Sequence, residues 1–327
     1  MTAKKRILSG MRPTGKLHLG HLVGALNNWV KLQDDYLCFY MVADWHALMS
    51  EYEDPKGLKE SCYDMVRDFV AAGIDPDKAV IFMQSHVPEH LELAMVFSDI
   101  TPLAWVERVP TYKEQLREIK GRNLTTYGFL GYPILQAADI AVYKAHAVPV
   151  GADQIPHLEL TREIIRRFNG LYKKGLFPEP EAILTKASKL LGLDNRKMSK
   201  SYANFIALSD TPEAIKKKVS VMITDPERIR LHDKGHPDIC NVFSYYAMFA
   251  PENLPEVKNW CERALKGCIE CKKGLAEILI ELLEPIRQRR DNLSDSRVEE
   301  ILASGAKRAR AVAGETMDEV KKLINFV

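Results

Sequence analysis

The chain has 327 residues, 46% hydrophobic and 28% charged, with a formal net charge of +2. This is the composition of a soluble globular protein with room for two domains, and the near-neutral balance confines any RNA-binding surface to a local patch. No apolar run approaches the roughly 20 residues that span a bilayer, and the basic start Lys4–Lys5–Arg6 leads into apolar residues broken at Ser9, Gly10 and Arg12, unlike a signal peptide; a cytoplasmic enzyme is expected.

Ile7–Leu8 opens a first strand. The turn Arg12–Pro13–Thr14–Gly15 then leads to His18–Leu19–Gly20–His21, after which Leu22, Val23, Leu26, Trp29 and Val30 follow helical spacing. The order strand, Gly-rich loop, helix N-terminus brings backbone N–H groups and a positive dipole to a phosphate. His18 and His21 can donate to phosphate oxygens without the bulk of Arg or Lys; two surface histidines around a glycine turn are the plainer alternative.

Leu37–Ala43 is continuously apolar and predicts a buried parallel strand. It ends at Asp44–Trp45–His46, where such a sheet presents its site residues. A helix over 58–72 and a strand over Ala79–Met83 follow. The strand–helix–strand alternation predicts an α/β domain with a doubly wound parallel sheet. Residues 88–120 read as helix, an insertion more apolar than a surface excursion needs, and 121–128 as a polar loop. Tyr132, Gln136 and Asp139 then share one helical face among Ala and Ile, a polar grip in apolar surroundings.

Val148–Pro149–Val150 predicts a short strand running into Gly151–Ala152–Asp153–Gln154. Gly151 permits close approach of a sugar, and Asp153 can accept from ribose hydroxyls. A helix from Ile155, a rigid turn at Phe177–Pro180 and the segment Leu190–Asn195 lead to Lys197–Met198–Ser199–Lys200–Ser201. Beyond this, strand-like runs disappear. The predicted boundary is therefore near 205: an α/β domain over 1–205 with a helical insertion at about 88–130, and an all-α domain over 206–327.

His18–Leu19–Gly20–His21, followed at long range by an unaltered Lys197–Met198–Ser199–Lys200–Ser201, resembles the paired ATP-site signatures of the class I aminoacyl-tRNA synthetases. The stretches 9–15, 42–46, 132–139 and 148–162 extend the resemblance over nearly the whole chain, close to the bacterial tryptophanyl enzymes. Glu159–Leu160–Thr161–Arg162 and Ala137–Ala138–Asp139 look tryptophanyl. Three positions depart: Gln136, where many of those enzymes carry Met; Arg12, where Gln is usual; and Leu8, where an aromatic residue is frequent.

The resemblance implies a Rossmann-like catalytic domain, a C-terminal helical anticodon-binding domain, and a homodimer formed in part by the 88–130 insertion. It implies activation of L-tryptophan by ATP with Mg²⁺ and transfer to tRNA(Trp). It assigns catalysis to His18, His21, Lys197 and Lys200. ATP binding falls to these with Arg12, Pro13, Thr14, Gly20, Gly151, Ala152, Asp153, Leu190, Met198, Ser199 and Ser201. Tryptophan falls to Leu8, His46, Tyr132, Gln136, Asp139, Val148, Val150 and Gln154, with Asp139 expected to select the substrate because the indole N–H is a donor only. A tyrosyl-tRNA synthetase is one alternative. A small-molecule adenylyltransferase, which would not need the lysine loop, is a second; a non-catalytic RNA-binding paralogue is a third.

Of six cysteines, Cys38 and Cys62 fall within apolar elements and read as ordinary small core residues. Cys240, Cys261, Cys268 and Cys271 are spaced C-x20-C-x6-C-x2-C among lysines. Four thiolates suit zinc or an iron–sulfur cluster. Their spacing resembles that of a subgroup of bacterial tryptophanyl enzymes with a [4Fe-4S] cluster in the anticodon-binding domain. A [4Fe-4S] cluster is the expectation and Zn²⁺ the runner-up.

Overall fold

The structure is a computed structural model that describes residues 4–118, 123–184, 190–196, 198 and 202–326. Five strands form one parallel sheet: β1 (Arg6–Met11), β2 (Leu37–Val42), β3 (Val80–Met83), β4 (Ala147–Val150) and β5 (Glu181–Leu184), in the order β3-β2-β1-β4-β5. Cys38, Phe39, Tyr40, Met41 and Val42 are all buried, as the continuous apolar run requires of an inner strand. The order reverses at β1, whose neighbours β2 and β4 are not consecutive with each other. That makes the carboxyl ends of β1 and β4 the switch point at which α/β sheets bind ligands. The doubly wound parallel sheet is as expected.

Two details differ from the sequence reading. β5 is an addition to the predicted strands: a four-residue edge strand in which no residue is buried, too short and exposed to stand out as an inner strand does. The predicted helix over 88–120 is three helices, Glu89–Ile100, Leu103–Glu107 and Pro110–Glu118, separated at Pro102 and Val109–Pro110, where proline cannot continue an upstream ladder. The helix Tyr127–Val142 follows, with the Thr126 hydroxyl capping it by accepting from the Phe129 N–H at 3.2 Å. Among the described residues no helix is long and apolar enough to cross a membrane.

The chain divides into two compact units. One holds residues 1–14, 25–186 and 293–327, and the other 15–24 and 187–292. This grouping departs from a single boundary at 205, and the C-terminal helix Asp295–Leu323 is the reason. Its Ala309, Ala313, Met317 and Val320 join the core cluster that contains Phe39, Phe82 and Phe168. Helical periodicity showed an apolar stripe there but not which surface it covers. Arg308 Nη1 donates to the carbonyls of Pro76 (2.8 Å) and Ala79 (3.2 Å), and Lys144 and Lys321 pair with Glu319 and Glu92 at 2.7 Å. The second unit contains the helices Pro212–Ser220, Asn241–Phe249, Leu254–Glu262 and Cys268–Asp291, with Ile215, Val219, Leu275, Leu279 and Leu283 buried.

Gly305 is the contact that lets the C-terminal helix reach β3. A Cβ there would collide with the Ile81 carbonyl. In an exposed helix, Gly→Ala gains about 1 kcal/mol. Gly305→Ala should instead lose about 2 kcal/mol, the scale of an overpacked core. Denaturant midpoints at unchanged m-value measure this, and an equal or higher midpoint would show that the helix does not press on the strand.

Candidate active site

In the first unit, polar side chains gather around Asp139 on the helix Tyr127–Val142. Asp139 is 1% exposed. Its Oδ1 accepts from Gln84 Nε2 (2.7 Å) and His90 Nδ1 (2.7 Å), and its Oδ2 from His46 Nε2 (2.8 Å). Burial pushes this carboxyl up, but hydrogen bonds from His46 and His90, with their charge interactions, outweigh it and hold it at about 2. The group is therefore a fixed anion at neutral pH. A carboxylate offers about four acceptor positions, so Oδ2 keeps capacity for one more donor.

The donors come from adjacent strand ends. His46 follows β2 and lies in the helix Asp44–Glu51; Gln84 follows β3 directly. Buried Asp44 links the two, because its Oδ1 accepts from the N–H groups of Trp45 (3.1 Å) and Ser85 (2.9 Å).

Tyr132, on the same helical face as Asp139, heads a second cluster. Its hydroxyl meets Thr111 Oγ1 (3.2 Å) and His157 Nε2 (3.4 Å), and Thr111 also bonds His157. Burial raises the Tyr132 phenol, which stays protonated. Burial, with His46 nearby, lowers His157 to about 4, so its ring is neutral at pH 7. Phe129 and Leu124 pack with Tyr132 as an apolar wall.

Gln136 is half-buried, as are His46 and Gln154, while Leu8, Val148 and Val150 are buried. Gln154 Nε2 donates to Asp153 Oδ2 at 2.9 Å. Asp153 curls back over Gly151, where a Cβ would lie 2.6 Å from its Oδ1. Asp153 and Ala152 are exposed, Arg12 and Thr14 half-buried, and Pro13 buried.

In the second unit, His18 precedes the short helix Leu19–His21. The His18 N–H donates to His21 Nδ1 at 3.2 Å. With Nδ1 accepting, the neutral His21 ring carries its proton on Nε2, a donor suited to a phosphate oxygen. The two rings lie 3.8 Å apart between centroids, and His18 packs against Phe205. Gly20 is closely packed here: a Cβ would lie 3.0 Å from the His18 ring and 3.2 Å from the sulfur of Met198, so both side chains would have to give way. Main-chain bonds from Leu19 to Ile206 and from Leu208 to Leu17 hold the loop. Of the lysine loop, only buried Met198 is described; Lys197, Ser199, Lys200 and Ser201 lie outside the described residues. The loop's approach, which includes half-buried Leu190, is anchored by Tyr245 Oη donating to Leu191 O and Asn241 Nδ2 to Gly192 O, each at 2.7 Å.

The same unit carries Cys240, Cys261, Cys268 and Cys271, the last two in the first turn of the helix Cys268–Asp291. Burial pushes the Cys271 thiol up to about 12, with Cys240, Cys268 and Cys261 adding to the shift; Cys240 and Cys261 are raised in the same way. The four thiols are thus electrostatic neighbours. Even so, among the described residues no three His, Cys, Asp or Glu side chains stand in metal-holding geometry. Cys38 and Cys62 are buried in the sheet unit, as read.

The family model of class I tRNA synthetases (W and Y) matches residues 1–284. The tryptophan–tRNA ligase of Thermotoga maritima is 52% identical, covering 98% of this chain and 99% of that protein. The chain belongs to the class I tryptophanyl-tRNA synthetases. The tryptophan–tRNA ligase of Aquifex aeolicus is 42% identical over 98% of this chain and 100% of its own. The crystal structure of tryptophanyl-tRNA synthetase from Campylobacter jejuni, complexed with ADP and tryptophan, matches with a TM-score of 0.90 at 33% identity, over 98% of this chain and 99% of that one.

Around Asp139 and Tyr132, the sequence gives no sign of Gln84, His90 or Thr111, nor of the place of His157. Gln84 shares with His46 only its place just past a buried strand. The others are single polar residues inside apolar helices or helix ends, and spacing gives them no mark.

His157 generates a pH prediction. Its pKa is lower in the folded chain than in the unfolded one, so the unfolded state binds more protons and stability falls as pH drops from about 6.5 to about 4. The loss from this group is about 3 kcal/mol. In His157→Gln that part of the slope should vanish in urea unfolding at pH 7 and pH 4.5. An unchanged slope would show that His157 is not held neutral.

Proposed function

We infer that the chain uses this site to activate L-tryptophan with ATP and to charge tRNA(Trp). It is an ATP-dependent tryptophan–tRNA ligase. The amino acid's carboxylate oxygen attacks the α-phosphorus in line, the bond to the bridging oxygen breaks, and pyrophosphate leaves with Mg²⁺. A hydroxyl of the terminal ribose of the tRNA then attacks the acyl carbon of the adenylate and AMP leaves. The first step needs little proton transfer, so catalysis is positioning and charge stabilisation. His18 and His21 donate to the phosphates, and Lys197 and Lys200 offset charge on the leaving pyrophosphate. Gly151 and Asp153 take the ribose, with Arg12, Pro13, Thr14 and Leu190 around the nucleotide.

The observation that carries the substrate reading is the buried, ionised Asp139 beside Tyr132. Oδ2 accepts the indole N–H. Phenylalanine would leave that acceptor without its donor, and sites of this kind reject the deficient analogue by about 10⁴ to 10⁵. His46 and Gln154 face the amino-acid end. The chain is proposed to act as a cytoplasmic homodimer through the helices Glu89–Ile100 and Leu103–Glu107, where Leu91, Met95 and Leu103 are exposed.

The four cysteines are proposed to hold a [4Fe-4S] cluster, with Zn²⁺ as runner-up. Support comes from the donor set and from the mutual proximity of thiols that are costly to ionise without a cation. When bound, the metal centre would fix the helix ends from which its ligands come.

Asp139→Ala should abolish tryptophan-dependent ATP–pyrophosphate exchange while ATP binding survives; an unchanged kcat/KM for tryptophan would refute the assignment. Protein purified without oxygen should be brown, with iron and sulfide in equal amounts and a shoulder near about 400 nm. Colourless protein with one zinc per chain would overturn the cluster but keep the ligands.

A further inference from the structure

His90 and Tyr143 are completely buried, and the reaction as described uses neither. His90 lies in the helix Glu89–Ile100, and Tyr143 follows the helix that carries Asp139. His90 Nδ1 is 2.7 Å from Asp139 Oδ1, and His90 Nε2 is 2.8 Å from the Tyr143 hydroxyl. Phe82 stacks on the His90 ring, and Phe39 stacks on Tyr143 at 4.4 Å.

The chemistry of the groups gives this row a direction. An ionised carboxylate only accepts, so His90 Nδ1 carries the proton and donates to Asp139. His90 Nε2 then pairs with the Tyr143 hydroxyl, which can complete the row because it is both donor and acceptor. Burial holds the Tyr143 phenol far above its ordinary range, so its hydroxyl stays protonated. Gln84 has the same polarity, with its N–H toward Asp139 Oδ1. Oδ1 is thus occupied from the protein interior, which fixes the carboxylate plane.

We propose that His90, its ring held at Nε2 by the buried Tyr143 hydroxyl, is a specificity-positioning residue that holds Asp139 as a pure acceptor and aims Oδ2 at the indole N–H of tryptophan. The inference rests on the reading that Asp139 receives that N–H. His90 touches no substrate. Its effect should appear in KM for the amino acid and in discrimination, not in ATP use.

The test compares tryptophan with its benzothiophene isostere, in which sulfur replaces the N–H, in ATP–pyrophosphate exchange by His90→Leu, His90→Asn, Tyr143→Phe and Asp139→Asn. His90→Leu should raise KM for tryptophan by about 10- to 100-fold, the range for a lost hydrogen bond to a charged group. KM for ATP should stay within about twofold. The preference for tryptophan over the isostere should collapse. His90→Asn keeps an N–H near the position of Nδ1 and should restore most of the preference. Tyr143→Phe, which removes the hydroxyl that holds the ring at Nε2 but keeps the ring packing, should lower it by a smaller factor. If His90→Leu does not fold, the Asn and Phe variants decide: an unaltered preference in Tyr143→Phe, or none in a folded His90→Asn, overturns the relay. If Asp139→Asn loses the preference while His90→Leu keeps it, the positioning role fails and the Asp139 reading stands. If Asp139→Asn also keeps it, the Asp139 reading itself fails.

Discussion

A carboxylate stripped of water stays ionised only where donors replace its hydration, and at Asp139 three side chains do so. The surrounding architecture serves to deliver those donors. His46 and Gln84 come from neighbouring strands, and they meet one carboxylate because β2 and β3 pair in parallel with Val42 beside Met83, so both chains leave the sheet at the same end. Asp44 bonds across this end to the Ser85 N–H. His90 arrives on the helix after β3, and Asp139 on the helix that packs against it. A register slip of one residue would turn the strand-end side chains to the wrong face. Sheet pairing is therefore a condition of this cluster as well as of stability.

The loop His18–His21 obeys a different constraint, which is close approach. The His18 ring and Met198 close over Gly20, and the absent side chain lets them pack that near. The hydrogen bond from the His18 N–H to His21 Nδ1 selects one tautomer, and a proton on Nε2 becomes a property of the main-chain geometry. The His90 ring is likewise held from within the protein, by a hydrogen bond at each of its nitrogens.

Much of this was legible in the chain itself. Leu37–Ala43 announced a buried strand because a parallel inner strand is apolar on both faces, and Tyr132, Gln136 and Asp139 announced a common face through the helical period alone. The partners of Asp139 were harder to read. Gln84 and His90 lie 55 and 49 residues from Asp139 in sequence, and only the packing of the elements makes them its neighbours. The C-terminal helix misled for a related reason. Its apolar stripe was plain, but the small residues Gly305, Ala309 and Ala313 fit equally well against a sheet or another helix. The edge strand β5 is too short and exposed to stand out as strands in the interior do.

Whether Asp139 selects tryptophan through the indole N–H is decided by a crystal structure of the chain with tryptophan bound. The indole nitrogen should lie about 2.9 Å from Asp139 Oδ2, with His46, Gln84 and His90 still on the carboxylate. An indole nitrogen bonded to another acceptor, with Asp139 facing only protein donors, would contradict it.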